Sequence, residues 1–329
     1  MMGVLRKALK QIARLPQRPV ILMYHRIAEP TFDPWGLAVS PTKFEEQLAM
    51  LNRRRSPMGM DELADRCRRR RLPADTVGVT FDDGYLDNLK FAKPRLQAAG
   101  VPATVFLTTG RLGCPGEFWW DELARIVLGS QAAIDVGVPI GAHRCRLRFT
   151  GAPEEAPRPT WRASSPPATA REAAYLELWR KLQECQPEER RDGMSRLREL
   201  PSPPAEEDNR AMDSAEVSQL ASAGTSIGAH GVSHQPLPSL TLPAREAEIR
   251  QSGETCRSIT GQPVEGFAFP HGAADEATRR LVAEAGYRWA CSTESRSVRP
   301  GDGPYSLPRL QVGSWDGDEL NAAMRDLAA

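Results

Sequence analysis

Two adjacent carboxylates, Asp82 and Asp83, stand in Thr80-Phe81-Asp82-Asp83-Gly84, and two imidazoles stand four apart in His230-Gly231-Val232-Ser233-His234. One turn of helix or a tight loop brings an H-x-x-x-H pair to a single ion. Adjacent carboxylates leaving a strand point in different directions, so one can hold a metal while its neighbour handles protons. Two histidines and one carboxylate leave open positions on a zinc-type ion, which lowers the pKa of a water ligand to about 7 and polarises a carbonyl. The chemistry outlined is hydrolysis of an acyl group. Each motif alone has a plainer reading, since a D-D-G turn is a common solvated turn and H-x-x-x-H is often a surface pair. Their joint occurrence at strand ends is what favours a site.

The elements that position these residues alternate between strand and helix. Pro19 to Tyr24 reads as a buried strand running directly into His25, and Ser40-Pro41 opens a helix carrying Phe44, Leu48 and Leu51 on one face. Thr76 to Phe81 is a second strand ending at Asp82, and Ala103 to Leu107 is a third. Asp213 with Glu216 forms a capping box ahead of a helix, and Thr225 to Ala229 is a strand entering His230. A helix from about Pro243 to Thr260 follows. Phe267 to Phe269 then leads into Pro270-His271-Gly272, and Asp275 caps a helix before a strand at Tyr287 to Ser292. In a parallel β/α barrel all strand ends open on one face, so residues distant in sequence meet there. The rhythm breaks over about 111–210, read as an insertion with a Pro-rich patch at Pro153 to Pro167 and a charged helical patch at Arg171 to Leu200.

Bulk properties narrow the partners. The 329 residues suit one barrel domain over 19–329 with that insertion, behind a basic amphipathic segment over 1–18. A formal net charge of +1 gives no field that calls for nucleic acid. The six scattered cysteines have no ligand spacing and read as reduced thiols, which favours the cytoplasm. The N-terminal segment lacks the apolar run of a signal peptide; it is read as a packing helix, with peripheral contact to the inner membrane surface as the alternative. The Arg66 to Arg71 run reads as a solvated helix end. Oligomeric state is left open.

At Thr80 to Gly84, His230 to His234 and Phe267 to Gly272 the chain resembles the polysaccharide deacetylases with a NodB homology domain, whose first three motifs have this order and spacing. The resemblance spans about Val20 to Val312 apart from the insertion. It implies an α/β fold, a distorted (β/α) barrel of the NodB-homology type, here with a largely helical insertion. It implies one divalent ion, zinc first with cobalt, nickel or iron as alternatives, held by Asp83, His230 and His234, with Asp82 as general base. The implied reaction removes an N-acetyl group from an amino sugar or oligosaccharide in a glycan or glycan precursor. The alternatives are an O-acetyl carbohydrate esterase using the same site and a catalytically inactive sugar-binding barrel.

Several positions depart from the family pattern. An amine leaving group needs a general acid, and the C-terminal histidine that often supplies it is replaced by Ser306-Leu307-Pro308-Arg309-Leu310. Met23-Tyr24-His25-Arg26 resembles the opening of the branch that includes poly-N-acetylglucosamine deacetylases, where this histidine takes the acid role, so His25 is expected there and His271 is second. By the same resemblance the backbone at Pro270-His271 is expected to help bind the oxyanion. Ala268 stands where the family often has an arginine paired with the base, and Arg309 is the expected substitute. Tyr85 and Trp119 are placed on the substrate side. Phe118-Trp119-Trp120 offers either a stacking face for a sugar or core packing, and His143 is read as a bystander.

Overall fold

A computed structural model describes residues 17–221 and 224–327. The segment expected over 1–18 therefore lies, but for its last two residues, outside the described residues. The run Val-Ile-Leu-Met-Tyr forms strand β1 (Val20–Tyr24), buried throughout, followed by two short strands paired with each other, β2 (Arg26–Ile27) and β3 (Ala38–Val39). The Ser40 side chain accepts from the Lys43 amide and Pro41 takes the first helical position, which starts helix α1 (Pro41–Arg54). Strand β4 (Ser56–Pro57), helix α2 (Met60–Arg68) and strand β5 (Thr76–Phe81) come next. Arg66, Arg68 and Arg69 pair with Glu62 and Asp65 around the end of α2, as a solvated helix end does. Helix α3 (Lys93–Ala99) stops at Gly100 in the left-handed conformation and leads to β6 (Ala103–Leu107).

The segment that breaks the rhythm contains helix α4 (Trp119–Gly129), strands β7 (Ile134–Ile140) and β8 (His143–Phe149), and helices α5 (Ala170–Glu184) and α6 (Pro187–Leu197). Strands β7 and β8 form an antiparallel hairpin that the sequence reading did not foresee. Its own apolar cluster, with Leu123, Val127, Ile140, Tyr175, Leu178 and Leu182, makes this segment a lobe with a separate core. Alternation resumes with α7 (Ser214–Leu220), opened by the reciprocal Asp213–Glu216 cap, and β9 (Thr225–Ala229). Then follow α8 (Leu242–Thr260), β10 (Gly266–Ala268), α9 (Glu276–Glu284), β11 (Trp289–Cys291), β12 (Leu310–Gln311) and α10 (Gly317–Asp326). No described helix is long and apolar enough to cross a membrane.

The main sheet is parallel, in the order β11-β10-β9-β6-β5-β1-β12 with β4 beside β5. It curls into the half-barrel of the NodB deacetylase type. Strands of such a sheet are covered on both faces, which explains their unbroken apolar runs. Period-two alternation divides the faces. Val20, Leu22, Tyr24, Val77, Val79 and Phe81 belong to the large outer core, whereas Ile21, Phe106, Ala268 and Cys291 belong to the inner one. Counting on by twos, Met23 and His25 continue the inner series of β1, and Thr80 and Asp82 continue that of β5. Gly228 and His230 do the same for β9; a Cβ at Gly228 would lie 2.3 Å from the Phe106 ring, so only glycine fits beneath His230. Strand pleating thus aims the polar residues at strand ends into the barrel mouth.

Candidate active site

Just past β5 the chain turns sharply, with Asp83 at φ +74° and Gly84 at φ +80°. The left-handed step separates the two carboxylates. Asp82 stays in the barrel, where both its oxygens accept from the Arg309 guanidinium at 2.7 Å, and Asp83 is directed toward the histidine loop. Arg309 also donates to Thr80 Oγ1 and to the Ser292 carbonyl, and it is fully buried. Burial raises the pKa of the Asp82 carboxyl, but Arg309 and then His230 outweigh it and hold the group below its ordinary value.

The loop from His230 to His234 is fastened from two sides. The Val232 and Ser233 amides and the Ser233 hydroxyl donate to Glu248 of α8. The Gly231 and Val232 carbonyls accept from the Thr109 and Gly110 amides. Gly231 at φ +74° and His234 at φ +57° bend the loop so that both rings face Asp83. His234 Nε2 lies 3.2 Å from Asp83 Oδ1 and His230 Nε2 lies 3.7 Å from it. One donor atom from each of the three residues lies within 4.8 Å of the other two.

Those atoms fit a metal ion. His230 Nδ1 lies 2.7 Å from the Ala268 carbonyl; a carbonyl only accepts, so Nδ1 carries the proton and Nε2 presents its lone pair. Buried Asp83 Oδ1 accepts no hydrogen bond among the described residues despite its two imidazole neighbours. Burial pushes the His230 imidazole down to about 4, so it is a neutral ligand at physiological pH. Burial acts to raise Asp83, but His234 and the other imidazoles nearby hold its carboxyl well below the usual range. A carboxylate and two neutral-capable imidazoles pointing at one another without hydrogen-bonding are the donor set of an open divalent site.

A cavity of about 350 Å³ opens above these atoms. Half-buried His25 lines it, as do His271 and Trp119. The His271 ring, from a residue at φ +56°, lies 4.5 Å from the His234 ring, with Gln183 of α5 on its other side. Trp35 and Trp179, 4.4 Å apart, complete an indole wall with Trp119. The sequence reading missed Trp35, Trp179 and Gln183, because no spacing relates positions 35, 119 and 179.

One expected placement is corrected. Tyr85 does not reach the cavity: the turn at Asp83 and Gly84 sends it underneath, fully buried, with its hydroxyl between Asp121 and Trp120. The Pro270 side chain is buried behind Gly231, and His271 lies at the surface of the site. The Phe118-Trp119-Trp120 run divides, with Phe118 in the core, Trp119 on the cavity and Trp120 buried between the two, bordering both. His143 lies exposed at the start of β8.

The family model described as polysaccharide deacetylase matches residues 69–143 and 205–290, which flank the outer part of the inserted lobe. The Bacillus subtilis (strain 168) protein named "Putative polysaccharide deacetylase YxkH" is 26% identical over 97 residues, covering 30% of this chain and only 35% of that protein. IcaB from Ammonifex degensii shares the fold at a TM-score of 0.60 with 17% identity, over 94% of this chain and 97% of that one. The Streptococcus pyogenes deacetylase PplD, solved in complex with acetate, does so at 0.55 with 18% identity, over 94% and 99%. With segments on both sides of the outer part of the lobe matching the family model, the chain belongs to the polysaccharide deacetylase family.

Proposed function

We propose that the protein is a metal-dependent hydrolase that removes an N-acetyl group from an amino sugar. The observation that carries this reading is the convergence of Asp83 Oδ1, His230 Nε2 and His234 Nε2 beside a carboxylate held ionised by Arg309. A divalent ion held by the three atoms supplies Lewis acidity toward an acyl carbonyl and a water molecule. Asp82 then takes a proton from the water as it attacks the acetamide carbon, because Arg309 keeps it both ionised and oriented. His25, on the same cavity, gives a proton to the departing nitrogen; the C–N bond breaks and acetate and a free amine result. Trp119, Trp35 and Trp179 offer faces suited to the apolar side of a pyranose ring. A short glycoside or glycan precursor is the substrate class this reading favours.

Acetate release from N-acetylated sugars of increasing length, with and without added zinc or cobalt, tests the proposal. We expect release that depends on the ion and an ion content of one per chain that Asp83→Ala abolishes. An ester alcohol leaves more readily than an amine, so His25→Ala is expected to depress amide hydrolysis about 10²-fold or more and hydrolysis of a model acetate ester far less. Equal losses on both would remove His25 from the acid role, and a wild-type protein that binds no divalent ion would overturn the reading as a whole.

A further inference from the structure

The two histidines of the site are held by different means. The His230 ring is fixed by its bond to the Ala268 carbonyl, whereas His234 Nδ1 is buried and has no hydrogen-bond partner among the described residues. A ligand imidazole is ordinarily oriented through its second nitrogen. Ring packing must orient His234 instead. The His271 ring lies at 4.5 Å and the buried indole of Trp120 at 4.8 Å.

Trp120 is itself immobilised. Its Nε1–H donates to the Tyr85 hydroxyl oxygen at 2.7 Å, and that hydroxyl donates to Asp121 Oδ2 at 2.7 Å. Phe118 stacks on the indole at 4.7 Å, and the Arg26 guanidinium, paired with Asp87, covers the Tyr85 ring at 4.7 Å. Tyr85 is two residues beyond Asp83 on the same turn. The hydrogen bond between Tyr85 and Trp120 therefore joins the backbone that carries one donor atom to the ring that backs another.

We propose that Trp120 and Tyr85 are positioning residues for the divalent site, a clamp that fixes the His234 imidazole relative to Asp83 and so sets the affinity for the ion. This rests on the metal-site reading above and assigns a role to the first turn of the inserted lobe, since Trp120 belongs to α4. Tyr85 lies beneath the cavity and Trp120 borders it beside His234, but neither supplies a donor atom to the ion.

The test compares wild type with Trp120→Phe, Tyr85→Phe, Asp83→Ala and Trp161→Phe. Trp161 is buried in the lobe's own core, against Tyr175, and serves as a structural control. Zinc affinity is read by chelator competition, the cobalt-loaded protein by its ligand-field absorption, and the fold by thermal unfolding of the ion-free form. We expect Trp120→Phe to weaken zinc binding about 10- to 100-fold and to shift the cobalt spectrum. Tyr85→Phe should act in the same direction to a smaller extent, and Trp161→Phe should lower thermal stability with wild-type affinity. Wild-type affinity and spectrum in both Trp120→Phe and Tyr85→Phe would overturn the clamp while leaving the site intact, as would a loss in Trp161→Phe equal to theirs. Absence of binding in wild type, matching Asp83→Ala, would overturn the site and the clamp together.

Discussion

Arg309 and Asp82 form a fully desolvated pair, and such a pair is far more costly to break than to have. Arg309→Met leaves a buried carboxylate uncompensated, and we expect unfolding free energy from urea titration to fall by about 3–5 kcal/mol. Adding Asp82→Asn should recover part of that loss, because the stranded charge is gone; a double variant no more stable than Arg309→Met alone would refute the argument. The placement of the three donor atoms was legible in the sequence because each belongs to a short motif at a strand end, whereas the pairing of Arg309 with Asp82 was expected only through the resemblance, with Ala268 standing where the family often has an arginine. The positions of Tyr85 and Trp120 were not legible. Whether Tyr85, four residues past the strand, faces the cavity or the core depends on a left-handed step at Asp83, and a non-glycine residue gives no local sign of adopting one.

At the scale of elements, caps and turns carried most of the signal. Asp275 accepts from the Thr278 amide and hydroxyl at the start of α9 and pairs with Arg245 of α8, so it ties two outer helices together. Thr278, and then Arg245, hold its carboxyl down at about 2. A carboxyl depressed in the folded state contributes stability above its ordinary pKa and loses it as pH falls through the depressed value. The difference in urea midpoint between wild type and Asp275→Asn should therefore be constant near neutrality and shrink from about pH 4 toward about pH 2. A difference that grows with acidification would contradict the assigned partners. The hairpin of β7 and β8 went unread although its pattern was present. Cys145, Leu147 and Phe149 are buried while Arg144, Arg146 and Arg148 are exposed, a period of two around the tight turn at Gly141. The neighbouring prolines and the helical stretch after them masked that short alternation.

For the whole molecule, alternation of strand and helix indicated a parallel sheet covered on both faces, and the resemblance supplied the distorted barrel. What the lobe does for the mouth of the barrel was not readable, since contacts such as Gln235 to the Cys185 carbonyl and Gln183 to His271 join segments with no periodic relation. Four described non-glycine residues have positive φ, and three of them, Asp83, His234 and His271, border the same cavity. Each such conformation costs about 1–3 kcal/mol. Evolution has therefore kept a sequence below its attainable thermal tolerance. Asp83→Gly, which suits the left-handed backbone and deletes a buried charge, should melt higher than wild type when both are stripped of ions, by about 2–8 °C for a chain of this size. Saturating zinc should reverse the ranking, because only the native residue lets the cation lend its binding energy to the folded state. A melting point for ion-free Asp83→Gly below that of the parent would show that this turn is relaxed, and that activity here exacts no toll on robustness.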